Sequence, residues 1–245
     1  MKKLIKEVAR LCGFQVLKSN SLNFVSEDQV YGVVASQCNV SNPVVIDGGA
    51  HMGDATLSLI KFFPNGEFHC FEPDPHLNEN LIKIFYMNNN VHVIKSALGS
   101  SSGISSFNIN NSRATNSLLN PSSAVKYTDK SIYDLIENVE VIDVNIVSID
   151  EYCANKKISK VDIIKIDLQG YDLKALLGSK RIIKTAQVVV VEMLFDEIYV
   201  GCGLFSDIYP LMREYGFELY TLCGLRYNEN KQILWADGVF VSKNV

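Results

Sequence analysis

From Val44 to Leu57 the chain runs Val-Val-Ile-Asp-Gly-Gly-Ala-His-Met-Gly-Asp-Ala-Thr-Leu: a β-branched stretch, a carboxylate, three glycines, then apolar spacing suited to a helix. Glycine tolerates positive φ and lets a ligand approach the backbone, so Gly48, Gly49 and Gly53 suit a strand-to-helix turn beneath a nucleotide-type cofactor. Their Gly-Gly-x-x-x-Gly order departs from the dinucleotide fingerprint Gly-x-Gly-x-x-Gly. Asp47 points the same way. A carboxylate beside the loop repels a pyrophosphate but attracts the ammonium and sulfonium of S-adenosylmethionine. In a plain tight turn, Asp47 would instead be a helix N-cap.

Further acids recur where strands are expected to end: Glu72, Asp167 and Glu192. In an open parallel sheet, ligands bind beyond the carboxyl ends of the strands. Glu72 follows the glycine loop by about 20 residues, the position from which a carboxylate accepts hydrogen bonds from ribose hydroxyls, in NAD and S-adenosylmethionine alike. Ser96 and Ala97, after a third strand, would border the adenine ring. The run Ile164-Lys165-Ile166-Asp167-Leu168-Gln169-Gly170-Tyr171-Asp172 puts Asp167 beside the reacting methyl, while Lys165 pairs with an acid or snorkels.

These residues need a scaffold, and the pattern supplies a doubly wound α/β sheet. Strands are expected at Val44 to Asp47, Glu67 to Glu72, Val91 to Lys95, Val161 to Asp167 and Val188 to Glu192. Helices follow through Thr56 to Phe63, along the Leu77, Leu81, Ile82 and Phe85 face, along Leu173, Leu176, Leu177 and Ile183, and around Ile208, Leu211, Met212 and Tyr215. Two last strands, Phe217 to Leu222 and Leu234 to Val241, are too close for a crossover helix and should form an antiparallel hairpin. Residues 1–43 read as a helical lead-in or lid, with Leu4, Ile5, Val8, Leu11 and Cys12 at helical spacing. Residues 100–145, rich in Ser and Asn, read as an insertion: a hairpin from Ser105 to Asn110 and Val139 to Val147, plus a mobile loop facing the substrate.

The totals narrow the class. A chain of 245 residues with 47% hydrophobic and 20% charged residues is ordinary for a single globular core, here the domain 44–245. A net charge of −4 gives no reason to expect a nucleic-acid partner. Six scattered cysteines (Cys12, Cys38, Cys70, Cys153, Cys202, Cys223) without a Cys-x-x-Cys pair support neither a disulfide scaffold nor a zinc site. Lys6, Glu7 and Arg10 interrupt any signal-peptide core, and no run approaches the roughly 20 apolar residues of a membrane span, so a cytoplasmic protein is expected.

Over residues 44 to 242 the chain resembles the FkbM-type S-adenosylmethionine-dependent methyltransferases. The marks, in order, are Ile46-Asp47-Gly48-Gly49-Ala50-His51-Met52-Gly53, Phe71-Glu72-Pro73-Asp74-Pro75, Ala97-Leu98-Gly99, Ser148-Ile149-Asp150 and Lys165-Ile166-Asp167-Leu168-Gln169-Gly170. The resemblance implies a class I methyltransferase (Rossmann-like) fold, mostly parallel with a C-terminal antiparallel hairpin. It also implies S-adenosyl-L-methionine as cofactor and methylation of a hydroxyl on a sugar, glycan or natural product. Cofactor contacts are then expected at Asp47, Gly48, Gly49, Ala50, His51, Gly53, Glu72, Pro73, Ser96, Ala97 and Asp167. His51 stands where the family usually has Asn, Gln169 and Asp172 where it usually has Glu; Gln169 removes a charge beside Asp167.

Because a sulfonium methyl is already activated, such an enzyme supplies alignment, dryness and a base for the acceptor proton. Asp167 is the first candidate for that base, followed by His51 and Asp172. A magnesium site on Asp167 and Glu192 is an alternative for a metal-assisted enzyme. An NAD-dependent oxidoreductase is the other class in play, with Asp47 and the glycine order against it. Arg113, Tyr127, Tyr133 and Arg226 are candidates for holding a sugar or phosphate.

Overall fold

The computed structural model describes residues 29–125, 129–228 and 230–243. The expected helix around Leu4 to Cys12 and the candidate Tyr127 lie outside them. Helix α1 (Val30–Gln37) leads into β1 (Val44–Gly48), α2 (Asp54–Phe62), β2 (Glu67–Phe71), α3 (Pro75–Ile84) and β3 (Val91–Ile94). Then come β4 (Ala97–Leu98), just before the inserted segment, and β5 (Gly103–Asn110), α4 (Lys130–Ile136) and β6 (Asn138–Val147). The second half continues through α5 (Ile149–Lys156), β7 (Ile163–Ile166), α6 (Asp172–Leu177), β8 (Val188–Leu194), α7 (Phe205–Glu214), β9 (Phe217–Tyr227) and β10 (Ile233–Ser242).

The main sheet has seven strands in the order β3-β2-β1-β7-β8-β10-β9. Its first five strands run parallel, and β10 lies antiparallel between β8 and β9. Strand order reverses beside β1, leaving a crevice at its carboxyl end. The short link from β9 to β10 forces the antiparallel return, as the spacing predicts.

Alternation sorts the strand residues between two faces. Ile46, Ile164, Ile166, Val189 and Val191 pack with Ile149, Tyr152, Leu176, Ile208 and Met212 on one side. Val45, Ile163, Val188 and Val190 pack with Val34, Leu59, Leu81 and Phe85 on the other. Strands buried on both faces need near-continuous apolar sequence, which Val188 to Leu194 provides. Asp47 and Lys165 are register partners on adjacent strands, so these two charges are side by side on the face toward α1 and α2.

Two expectations are revised. The helix expected to reach Ile183 stops at Leu177; Gly178 caps it, and Ile182–Thr185 forms a separate 3-10 turn. The insertion is more than a hairpin. Strands β5 and β6 pair antiparallel, but β4 joins β6 in parallel, making a second sheet of order β4-β6-β5. Its connection is pinned: the Asn110 amide donates to Asn116 Oδ1 at 2.8 Å, and Asn108 Nδ2 to the Leu119 carbonyl at 2.9 Å.

Candidate active site

At the carboxyl ends of β1, β2, β7 and β8 lies a cavity of about 790 Å³, within the usual size of a cofactor or substrate site. One end is walled by Gly49, Ala50, His51, Glu72, Pro73, Ala97 and Leu98; elsewhere it is lined by Lys165, Asp167, Gln169, Glu192, Tyr199, Arg226, Trp235 and Asp237. The insertion contributes Phe107, Arg113, Asn116, Leu118 and Ile132, and α1 contributes Val30 and Tyr31.

The glycine loop is built around two left-handed residues, Gly49 at φ 72° and His51 at φ 48°. A Cβ on Gly49 would overlap the carbonyl oxygen of Asp167, so glycine is required there to bring the β1 and β7 ends together. His51 occupies a backbone region that Asn and His tolerate better than most residues. Its amide donates to Glu72 Oε2 at 2.9 Å, and the Asp74 amide donates to Glu72 Oε1 at 2.9 Å. Each oxygen of this carboxylate keeps acceptor capacity for a further donor in the cavity. Burial raises the Glu72 carboxyl to about 7 despite those two amides. Burial likewise lowers the His51 imidazole, which therefore stands neutral near pH 7.

Asp74 joins this end to the insertion. It caps α3 through the His76 amide at 2.9 Å, accepts from Asn116 Nδ2 at 2.9 Å and pairs with Arg113. Arg113 is therefore tied to the Glu72 end of the cavity through Asp74.

Several residues sit elsewhere than expected. Asp47 is fully buried beneath the loop and does not line the cavity. Its Oδ2 accepts from Thr56 Oγ1 at 2.8 Å and its Oδ1 lies 3.4 Å from Lys165 Nζ. It is a support for the loop, not a direct counter-charge for a ligand. Gly48 is packed behind the loop, where a Cβ would meet Leu98 at 2.7 Å, and Gly53, at φ 84°, starts α2 against Phe85. Ser96 turns away and donates to the Lys95 carbonyl at 2.8 Å. Asp172 is buried, accepting from the Leu168 and Gly170 amides at 3.0 Å each, so its carboxylate shapes the Asp167 loop and is withdrawn from the base role. Gly49, Ala50, His51, Glu72, Pro73, Ala97 and Asp167 do line the cavity.

Lys165 is a hub. Its ammonium donates to the Gly49 carbonyl at 2.8 Å and the Gly48 carbonyl at 3.3 Å, and lies 3.7 Å from Asp167 Oδ2. Burial alone would lower its pKa, but the Asp47 and Asp167 carboxylates outweigh that and raise it, so the charge is retained.

Beside it, Gln169 forms a bridge. Its Nε2 donates to Asp167 Oδ1 at 2.9 Å and lies 3.2 Å from both Glu192 oxygens. Its Oε1 accepts from Tyr199 at 3.0 Å. Burial, with Glu192 and Asp167 nearby, keeps the Tyr199 phenol protonated, and its one proton is shared between Gln169 Oε1 and the Thr115 carbonyl, each 3.0 Å away. Burial, then the Asp167 and Asp172 carboxylates, push Glu192 well above the usual carboxylate range. The gap where a magnesium ion would have to join Asp167 to Glu192 is filled by this amide. Tyr199 and Trp235 carry no local motif; Tyr199 follows the β8 end by five residues, and only that placement hints at it.

Sheet order and the switch-point crevice, with its acid-rimmed cavity, define a class I methyltransferase-like (Rossmann-like) fold. Residues 47–219 match the methyltransferase FkbM domain, and the chain belongs to that family. It is similar to the 2-O-methyltransferase NoeI of Sinorhizobium fredii (strain NBRC 101917 / NGR234), 20% identical over 175 residues that cover 71% of this chain and 72% of that protein. It is similar also to the methyltransferase sdnD of Sordaria araneosa, 22% identical over 198 residues, covering 73% and 75% respectively. Among solved structures, the N-terminal domain of EvdMO1 in the presence of SAH and D-fucose superposes with a TM-score of 0.50 at 9% identity, covering 98% of this chain and 96% of that one. The chain is thus a methyltransferase, and the oxidoreductase alternative is set aside. Among the described residues no helix is long and apolar enough to cross a membrane.

Proposed function

We propose that this chain transfers the methyl of S-adenosylmethionine to a hydroxyl oxygen of a sugar, glycan or natural product. The observation that carries this is one cavity with two chemically different groups: the half-satisfied Glu72 carboxylate, and the Asp167–Gln169–Glu192 bridge beside Lys165. The residues fit the cofactor. Glu72 offers two oxygens with spare acceptor capacity for a ribose diol, and Ala97 leaves room for a ring. When bound, the cofactor supplies a methyl already activated on sulfur.

The protein's own work is alignment, exclusion of water and custody of a proton. Asp167 is the proton's custodian. Its carboxylate lines the cavity with Lys165 and the Gln169 amide on its flanks, and takes the acceptor's hydroxyl proton. Glu192, whose carboxyl favours its proton, positions Gln169. Trp235, Tyr31 and Arg226 give the acceptor an amphipathic wall. Residues 1–43 and the insertion 100–145 act as lid and selector, a reading supported by Val30, Tyr31, Phe107 and Ile132 in the wall. The name of the Sinorhizobium fredii relative, a 2-O-methyltransferase, supports a hydroxyl acceptor.

The test is transfer from labelled S-adenosylmethionine to a panel of sugars, glycosides and hydroxylated natural products, read by mass spectrometry. Asp167→Asn should abolish turnover on any accepted compound while S-adenosylhomocysteine still binds. Undiminished turnover in that variant would remove Asp167 from the base role.

A further inference from the structure

Away from the cavity, β2 and β3 bring together three groups that the methyl-transfer chemistry leaves idle. Glu67 and His69 are two residues apart on β2 and share its face toward α5; His92 on β3 is the register partner of His69. One donor atom from each lies within 4.8 Å of the others. Glu67 Oε1 is 3.2 Å from His69 Nε2 and 3.4 Å from His92 Nε2. Tetrahedral zinc, with bonds of about 2.0–2.2 Å to imidazole nitrogen and carboxylate oxygen, separates its ligand atoms by about 3.4 Å.

A second observation is independent of that clustering. His69 is 3% exposed, and among the described residues its Nε2 faces only the Glu67 carboxylate, at 3.2 Å, without a hydrogen bond of strict geometry. A buried ring nitrogen is seldom left this way without a ligand to meet it. Its other nitrogen, Nδ1, lies 2.8 Å from the Tyr152 hydroxyl, an outer partner that fixes ring orientation and leaves Nε2 for a metal when Nδ1 carries the proton. Glu67 and His92 are half exposed, giving an ion an entry path and room for a water as fourth ligand.

We infer that Glu67, His69 and His92 form a divalent transition-metal site, zinc being the best match to two imidazoles and one carboxylate, that clamps the edge strand β3 to β2. The proposal is independent of the acceptor and of the methyl-transfer reading. It is tested on the tag-free full chain, stripped with a chelator and titrated with zinc chloride alone. The expected result is one ion per chain and a rise in melting temperature. His92→Ala and Glu67→Gln, both half-exposed positions, should each weaken binding at least tenfold and remove that rise, while melting of the stripped protein stays unchanged. Cobalt substitution should give a spectrum without thiolate charge transfer. Absence of stoichiometric binding, unchanged affinity in both variants, or a thiolate band would overturn the site.

Discussion

Gln169→Glu removes the donor shared by Asp167 and Glu192 and puts a third carboxylate at a point 2.9 Å from one acid and 3.2 Å from the other. A hydrogen bond to a charged acceptor contributes about 1.5–3 kcal/mol, and because Glu192 favours its proton only the Asp167 bond counts as one, so its loss destabilises the fold by about 2 kcal/mol. Like-charge repulsion adds to that, and Tyr199 keeps a partner because a carboxylate still accepts its hydroxyl. The loss should shrink as pH falls, since one proton shared in the triad restores a donor. Magnesium should restore part of it, since the site would then hold three oxygen ligands. Urea unfolding of both proteins across pH, with and without magnesium, reads all three effects. A variant as stable as the parent chain at alkaline pH, with no response to acid or magnesium, would refute the bridging role of Gln169.

Two further outcomes follow from buried charges. Burial holds the Glu72 carboxyl at about 7 against an ordinary 4.5, so the folded chain keeps a proton that the unfolded chain has released. Its contribution is complete below the unfolded value and is lost as pH rises through the folded one; at about 1.4 kcal/mol per unit this reaches about 3 kcal/mol. Relative to Glu72→Gln, the parent should therefore lose that much between about pH 5 and about pH 8 in urea midpoints; parallel profiles would contradict it. Lys165→Met strands Asp47 and Asp167 without their cation, costing about 3–5 kcal/mol by thermal or urea unfolding. Adding Asp47→Asn should recover part of that, and strict additivity of the two changes would show that the pair does not interact.

The fold was legible because its signals are local. Apolar runs such as Val188 to Leu194, glycine and proline punctuation, and a β9–β10 link too short for a helix all follow from neighbouring residues. Half of the site was legible for the same reason: the glycine loop and Glu72 keep a spacing that a strand-turn-helix unit enforces. Asp47 was misplaced because its environment depends on register. Its partner Lys165 is 118 positions away, and only the pairing of β1 with β7 brings them together. The Asp172 turn contacts and the Gln169–Glu192–Tyr199 chain are likewise tertiary, formed between segments with no fixed spacing. The pairing of β4 with β6 was hidden because two residues, Ala97 and Leu98, carry no periodicity.

Calorimetric titration of S-adenosylhomocysteine into the full chain, repeated with Glu72→Ala, bears most directly on a cofactor seated between the glycine loop and Glu72. One site per chain is expected, with affinity falling at least tenfold in the variant, because the ribose hydroxyls lose both oxygens of their hydrogen-bonding partner. Binding that is absent in the parent, or equally tight without the Glu72 carboxylate, would contradict this placement.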